Sequence, residues 1–143
     1  MKIKSIYLGG AMGCFKDTPH LMKQWRTNAT HLLNEYAKFR DIKLEIVNPI
    51  DYYNFDEVRH QSEKEIMDFD LWQVVHSDLI LVNLDRIHDS PGTIIELYEA
   101  KRSGIPVVAF GDDNGLHPWI RECINRIESS LDKAIEFIAE FYM

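Results

Sequence analysis

Glu96 is the side chain of this 143-residue chain whose type and placement could do chemistry, and Tyr7 and Asp70 are two further groups to weigh beside it. Glu96 lies in Pro91-Gly92-Thr93-Ile94-Ile95-Glu96, just past the apolar run Leu79 to Leu84 and its polar loop Asp85 to Ser90. A helix opening at Pro91 carries Glu96 near its start, where unpaired N–H groups and a partial positive charge favour an ionised carboxylate. Such a carboxylate beyond the carboxyl end of a buried strand can act as a nucleophile or hold a ligand. The same residues also fit a capping box, Thr93-Ile94-Ile95-Glu96, in which Glu96 only ties down the helix start. Tyr7, near the end of the first apolar run, places a phenol where it could meet a ligand or a carboxylate, or simply fill the core. Asp70 sits on a mixed apolar and polar helix, where a lone acid is ordinarily a solvated charge.

The elements that must position these groups follow from periodicity. Ile3 to Leu8 reads as a buried strand that enters Gly9-Gly10-Ala11-Met12-Gly13. Helical spacing runs from His20 to Phe39, with Leu21, Trp25, Ala29, Leu32, Leu33 and Tyr36 on one face. Lys43 to Val47 is a second strand, stopped by Asn48-Pro49, and a polar loop with Tyr52 and Tyr53 follows. A helix is expected over Glu57 to His76, with Ile66, Phe69 and Val74 inward. Leu79 to Leu84 is the third strand. The helix bearing Glu96 runs to Ser103 and is stopped by Gly104. Ile105 to Phe110 is the fourth strand. His117-Pro118 starts a short helix, and Cys123 to Ile127 reads as either a fifth strand or its continuation. Ser129 with Asp132 has the capping-box pattern for a last helix whose apolar residues are Leu131, Ala134, Ile135, Ile138 and Phe141. Asp78 belongs to a helix–strand junction.

Strands alternating with helices predict a single α/β domain spanning 1–143. It is doubly wound and flavodoxin- or Rossmann-like, with a mostly parallel five-stranded sheet and helices on both faces. Ligands in such sheets bind outside the carboxyl ends of the strands. Three loops fall there: Gly9 to Gly13, Asn48 to Tyr53, and Asp85 to Thr93. The first is no dinucleotide fingerprint, because Leu8 stands where a glycine is required and no acidic residue ends the second strand. It lacks the Walker lysine too. Its glycines signal close backbone approach to a ligand, or a plain tight turn.

Composition narrows the function. The net charge is -7 with no block of Lys or Arg, which argues against a nucleic-acid polymer as partner. Hydrophobic content of 45% and charged content of 27% suit a globular domain. Cys14 and Cys123 form no CxxC pair and read as two reduced thiols of a cytoplasmic protein. The short apolar run after Lys2 and Lys4 is neither a signal peptide nor a membrane span. His76, His88 and His117 have no metal-ligand spacing, so no metal is expected, and no cofactor is expected.

Tyr7-Leu8-Gly9-Gly10, then Asp70-Leu71 with Ser77-Asp78-Leu79-Ile80-Leu81, then Gly92-Thr93-Ile94-Ile95-Glu96-Leu97-Tyr98-Glu99-Ala100 together resemble the nucleoside 2-deoxyribosyltransferase family over about residues 3 to 110. The resemblance implies that Glu96 is a nucleophile for the anomeric carbon, that Tyr7 orients it, and that Asp70 engages the base and helps to protonate it. A glycosyl-enzyme ester would form and pass to a second base or to water. It also implies a small nucleoside or nucleotide substrate, a homo-oligomer, and substrate contacts at Gly9, Gly10, Asp89, Ser90, Gly92 and Thr93. Asn125 falls loosely where the transferases lend an asparagine to a neighbouring subunit. One departure matters. The transferases carry an aspartate six residues before the nucleophile, and here that position is Ser90, with Asp89 one residue earlier. Related deoxynucleoside 5′-monophosphate N-glycosidases carry a serine there that contacts phosphate, although a loop serine before proline has an ordinary structural use. The readings that stand are deoxyribosyl transfer, hydrolysis of a 5′-monophosphate, cleavage of NAD, and a non-catalytic nucleotide-binding module.

Overall fold

The computed structural model describes residues 2–52 and 59–143 of the chain. Five strands form one sheet: β1 (Ser5–Gly9), β2 (Glu45–Val47), β3 (Leu79–Asn83), β4 (Val107–Phe110) and β5 (Arg126–Glu128). Their order is β2-β1-β3-β4-β5, and every neighbouring pair is parallel. Five helices connect or follow them: α1 (His20–Phe39), α2 (Glu63–Val75), α3 (Pro91–Arg102), α4 (Pro118–Glu122) and α5 (Leu131–Tyr142). This strand order is the flavodoxin-like one, and it leaves a crevice between β1 and β3, where the chain reverses its direction across the sheet.

The period of two along each strand divides the interior into two cores. Ile6 and Leu8 of β1, Leu79 and Leu81 of β3, and Val108 and Phe110 of β4 pack against Trp25, Ala29 and Leu33 of α1 and Ala134, Ile135 and Ile138 of α5. The alternate residues Tyr7, Ile80, Val82, Val107 and Ala109 face Val74 of α2 and Leu97 and Ala100 of α3. The Trp25 and Phe110 rings meet edge to face at 5.4 Å. Asp78 seals the amino end of the sheet. Its Oδ2 accepts from Lys4 N at 2.7 Å and Ser5 N at 3.1 Å, so it joins the start of β1 to the start of β3.

Several boundaries differ from expectation for identifiable reasons. β1 starts at Ser5 because Ile3 N is used by Tyr142 O of α5, at 2.9 Å. β2 is shorter than Lys43 to Val47, and β4 starts after Ile105-Pro106. α2 begins at Glu63, capped by the Ser62 side chain, which accepts from Glu65 N. The expected start at Glu57 and the loop residue Tyr53 lie outside the described residues. Phe69, expected to face inward, is exposed, and so are Leu21, expected on the apolar face of its helix, and Phe141. On α1 the inner face is shifted to Met22, Trp25, Arg26, Ala29 and Leu33. Cys123 to Ile127 resolves into the end of α4 followed by β5. The last helix is capped by Ser130, which accepts from Lys133 N, rather than by Ser129. Gly104 ends α3 as expected: it has φ +74, and Ile105 N returns to Ala100 O at 2.9 Å.

Replacing Asp78 by alanine leaves two backbone N–H groups without their acceptor. The expected cost is about 1–3 kcal/mol, read as a lower urea midpoint with an unchanged slope.

Candidate active site

Strand parity decides where Tyr7 points. Its neighbours Ile6 and Leu8 face α1 and α5, so Tyr7 faces α2 and α3, buried in an otherwise apolar layer. Across β1 and β3 it stands in register with Ile80. Helix periodicity brings Glu96 to meet it. Thr93, Leu97 and Ala100 form the buried stripe of α3, and position 96 falls on that stripe. On α2, Asp70 lies one turn before the buried Val74. Two facing helices and one strand therefore aim a phenol and two carboxyl groups into a single space.

The capping-box reading of Glu96 does not survive. Ser90, not Thr93, is the N-cap of α3, and Pro91 is the first helical residue. Glu96 is thus the sixth residue of the helix, beyond the reach of the N-cap backbone, and no acid occupies the first turn. Thr93 is the third residue. Its buried hydroxyl pairs with Ser90 Oγ at 2.7 Å.

The helix start does not hold the pKa of Glu96 at its ordinary value. The macrodipole acts chiefly in the first turn, and burial dominates here. Glu96 is half-buried as a residue, but its Oε2 is sealed from solvent and has no hydrogen-bond partner. Desolvation pushes its pKa up to about 7. A hydrogen bond from Tyr7 and the charge of Arg26 oppose the rise, and the negative charge of Asp70 adds to it. Asp70 is also raised by burial, against a hydrogen bond from Tyr52 and the positive groups His60 and Arg26. The Tyr52 hydroxyl donates to Asp70 Oδ1 at 2.9 Å, and the Tyr52 ring packs edge-on against Phe69 at 5.0 Å. Tyr7 is held well above the ordinary tyrosine range, first by burial and then by the negative charge of Glu96.

Sequence reasoning missed Arg26. It is fully buried on the inner face of α1 and donates to Leu8 O at 2.6 Å, Gly10 O at 3.2 Å and Asn48 Oδ1 at 3.2 Å. Its guanidinium lies 4.7 Å from the centre of the Trp25 ring, and its Nε has no partner. Burial lowers its pKa to about 10, so it remains a cation at neutral pH. The available signal was a charged residue at the spacing Met22, Arg26, Ala29, Leu33, which is an apolar stripe interrupted by arginine. Tyr52 was read only as part of a polar loop; its partner on α2 is eighteen residues away and carries no local signature.

Glu96 and Asp70 line a cleft of about 300 Å³ whose apolar wall includes Ile66, Met67, Leu71 and Ile95, with Gly92 at its edge. A larger apolar groove of about 880 Å³ lies between α3 and α4 and includes neither carboxylate. The other expected contact residues divide. Gly92 has open space where a side chain would stand, and Ser90 and Thr93 flank it. Gly9 lies inside β1 and Gly10 just after it. A Cβ on Gly10 would meet Trp25 at 3.1 Å, so that glycine serves protein packing. Asp89 is exposed and paired with Arg86 at 3.0 Å. Asn125 does not join the group: it precedes β5 at the amino end of the sheet, and its Oδ1 accepts from Val107 N at 2.8 Å. Among the described residues no three His, Cys, Asp or Glu side chains cluster as metal ligands. No described helix is long and apolar enough to cross a membrane.

Solved structures share this architecture. A 2-deoxyribosyltransferase from the psychrotolerant bacterium Bacillus psychrosaccharolyticus superposes with a TM-score of 0.67 at 19% identity, covering 92% of this chain and 90% of that one. The two chains share the doubly wound α/β fold. A conserved protein from Enterococcus faecalis is also similar, with a TM-score of 0.76 at 20% identity over 96% of this chain and 98% of that one. The CMP N-glycosidase of Clostridium botulinum matches with a TM-score of 0.55 at 16% identity, over 96% of this chain and all of the other. No family sequence model matches the chain, and no curated protein matches it by sequence.

The raised pKa of Glu96 has a signed consequence for stability. From its ordinary value of 4.5 up to about 7, the folded state holds a proton that the unfolded state has lost. Its contribution is therefore complete below 4.5 and disappears as pH rises through about 7. Glu96→Gln should flatten the fall in stability across that window. Urea midpoints measured from pH 4 to pH 8 check this, and parallel wild-type and variant curves would contradict it.

Proposed function

We propose that the protein cleaves the N-glycosidic bond of a (deoxy)nucleoside through a glycosyl-enzyme intermediate and transfers the deoxyribosyl group to another base. The observation that carries this reading is Glu96: a buried carboxyl group with one unpartnered oxygen, held by Tyr7, in a cleft it shares with Asp70. Two carboxyl groups that burial makes reluctant to ionise, with the charge of Asp70 adding to the effect on Glu96, suit an oxocarbenium-like transition state, because positive charge developing between them relieves the strain of holding an anion there. In the proposed first step a Glu96 carboxylate oxygen bonds to C1′. The C1′–N bond breaks, its electron pair goes to the base, and a proton from Asp70 neutralises that base. In the second step the incoming base or water loses its proton to Asp70 and attacks C1′, which frees Glu96. Burial raises the pKa of Asp70 and so favours its protonated form, the direction that the role of an acid requires. Tyr7 holds the nucleophile by its hydrogen bond. The likeness to a 2-deoxyribosyltransferase supports the class of reaction.

Hydrolysis of a (deoxy)nucleoside 5′-monophosphate is the second reading, favoured by Ser90. Its hydroxyl does not cap α3 but pairs with that of Thr93, beside the open space at Gly92 and at a helix start with unsatisfied N–H groups. The likeness to a CMP N-glycosidase supports this variant.

Incubation with a 2′-deoxynucleoside, and separately with its 5′-monophosphate, each with and without a second free base, decides between them. A new nucleoside formed only with the acceptor is the transferase outcome. Free base without an acceptor is the hydrolase outcome. Glu96→Ala should lower the rate on the order of 10³-fold or more. Absence of product in every condition, with unimpaired ligand binding by Glu96→Ala, would refute cleavage and leave a binding module. If the monophosphate is the substrate, Ser90→Ala should raise KM for it by about 10-fold or more, the scale of one hydrogen bond to a charged group, and leave KM for the nucleoside unchanged.

A further inference from the structure

One oxygen, Asn48 Oδ1, is where two elements meet. Arg26 Nη1 donates to it at 3.2 Å from α1, and Ile50 N donates to it at 3.3 Å from the chain just after β2. An amide nitrogen can accept from neither, so the two donors fix which way the Asn48 side chain is turned. Asn48 is the N-cap of a short 3-10 turn, Pro49–Asp51. Asp51 N returns to Asn48 O at 3.0 Å and Tyr52 N to Pro49 O at 3.3 Å, so the turn sets where the Tyr52 side chain leaves the backbone. That side chain crosses to α2, donates to Asp70 Oδ1 at 2.9 Å and packs its ring edge-on against Phe69. Each link from Arg26 to Asp70 is thus a hydrogen bond or the turn itself.

The anchored end of this series is rigid. Arg26 is buried, and the same guanidinium donates to Leu8 O at 2.6 Å and Gly10 O at 3.2 Å. Those carbonyls lie at the carboxyl end of β1, the strand that carries Tyr7, and Val47, immediately before Asn48, pairs with Tyr7 across the sheet. The turn is therefore referenced to the strand end on which the cleft is built. At the other end, Tyr52 donates, so Asp70 Oδ1 is an acceptor whether Asp70 is neutral or ionised. A neutral Asp70 then keeps its proton on Oδ2. A proton assigned to one oxygen is delivered in one direction, which is what an acid acting on a bound leaving group requires.

We propose that Asn48 is a positioning residue for Asp70: clamped by Arg26, it holds the turn that aims Tyr52, and Tyr52 assigns the proton of Asp70 to Oδ2, the oxygen that serves the leaving base. This rests on the proposed N-glycosidic cleavage and adds what orients its acid. Neither Asn48 nor Tyr52 exchanges a proton in this scheme.

Two measurements test it. The first compares a purine deoxynucleoside with its 7-methylated counterpart, whose base already carries positive charge and leaves without a proton. Asn48→Ala should lower kcat on the ordinary nucleoside by about 10-fold, the scale of one lost hydrogen bond, with KM unchanged. The 7-methylated substrate should be cleaved at nearly the wild-type rate. Asn48→Ser can still cap the turn but is too short to reach Arg26, and should lose as much as Asn48→Ala. Asn48→Asp keeps an acceptor for both donors and should retain most of kcat. Asn48→Ala combined with Tyr52→Phe should be no worse than Tyr52→Phe alone, because both remove one function. Equal losses on both substrates, or losses that add in the double variant, overturn the proposal.

The second measurement needs no substrate. The hydrogen bond from Tyr52 favours ionised Asp70 against the larger effect of burial, and His60 and Arg26 act in the same direction as Tyr52. Carbon-13 titration of the labelled Asp70 carboxyl group should therefore show its pKa rising in Tyr52→Phe, and rising likewise in Asn48→Ala. An Asp70 titration that Asn48→Ala leaves unaltered overturns the proposal. If the wild type cleaves neither substrate, it is the cleavage reading that fails, and the titration still decides whether Asn48 acts on Asp70.

Discussion

Two carboxyl groups held out of water in one cleft set the terms for everything around them. Taking a carboxylate from water costs several kcal/mol even in a relaxed protein interior, and a second one nearby adds repulsion. The protein answers with hydrogen bonds from phenols and with a buried cation. The terminal nitrogens of Arg26 donate to Leu8 O, Gly10 O and Asn48 Oδ1 rather than to either carboxylate, and its Nε has no partner. It acts through space, lowering the cost of both anions. The remaining imbalance keeps Glu96 near 7 rather than near 4.5.

The same guanidinium joins electrostatics to architecture. Its three acceptors belong to the ends of β1 and β2, so the charge that serves the carboxylates also fastens the carboxyl edge of the sheet. Removing the charge would loosen the loops, and moving the loops would displace the charge. Gly10 completes this arrangement by letting the backbone lie against Trp25, on which the guanidinium rests. On the opposite side, the pairing of Arg86 with Asp89 and with Cys14 O at 3.1 Å links the loop after β3 to the loop after β1. The loops at the carboxyl edge of the sheet are therefore tied together by side chains whose partners are distant in sequence.

Likeness at 16–19% identity to a transferase and an N-glycosidase concerns the fold, and a fold hosts many chemistries. What differs between those chemistries is decided by few atoms. Ser90 stands six residues before Glu96, where a carboxylate would repel phosphate and a hydroxyl would not. In the proposed reaction, the choice between water and a second base depends on what fills the space above the sugar once the first base has left. The apolar wall of Ile66, Met67, Leu71 and Ile95 offers a surface for a planar ring.

Alternation of strands and helices was legible in the sequence, because burial on both faces of a parallel strand leaves an uninterrupted apolar run and helical spacing leaves a repeat near four. From this came the five strands, the parallel sheet and the edge at which a ligand would bind. Resemblance of short motifs picked out Glu96, Tyr7 and Asp70. Boundaries were less legible where caps compete: Ser129 and Ser130 are equivalent by composition, and only packing of α5 selects Ser130. The role of Glu96 was undecidable from sequence, since a capping box and a nucleophile at this position share the same letters. Tertiary structure settled the first by starting α3 at Pro91, which leaves Glu96 out of reach of the cap. It also decided which groups become partners. Arg26 and Tyr52 are brought to the site by helix packing and loop closure over long separations, and no local pattern records such contacts. Nor could the ionisation of Glu96 be read from its place near a helix start, because desolvation depends on everything packed around the carboxyl group, and that exists only once the chain has folded.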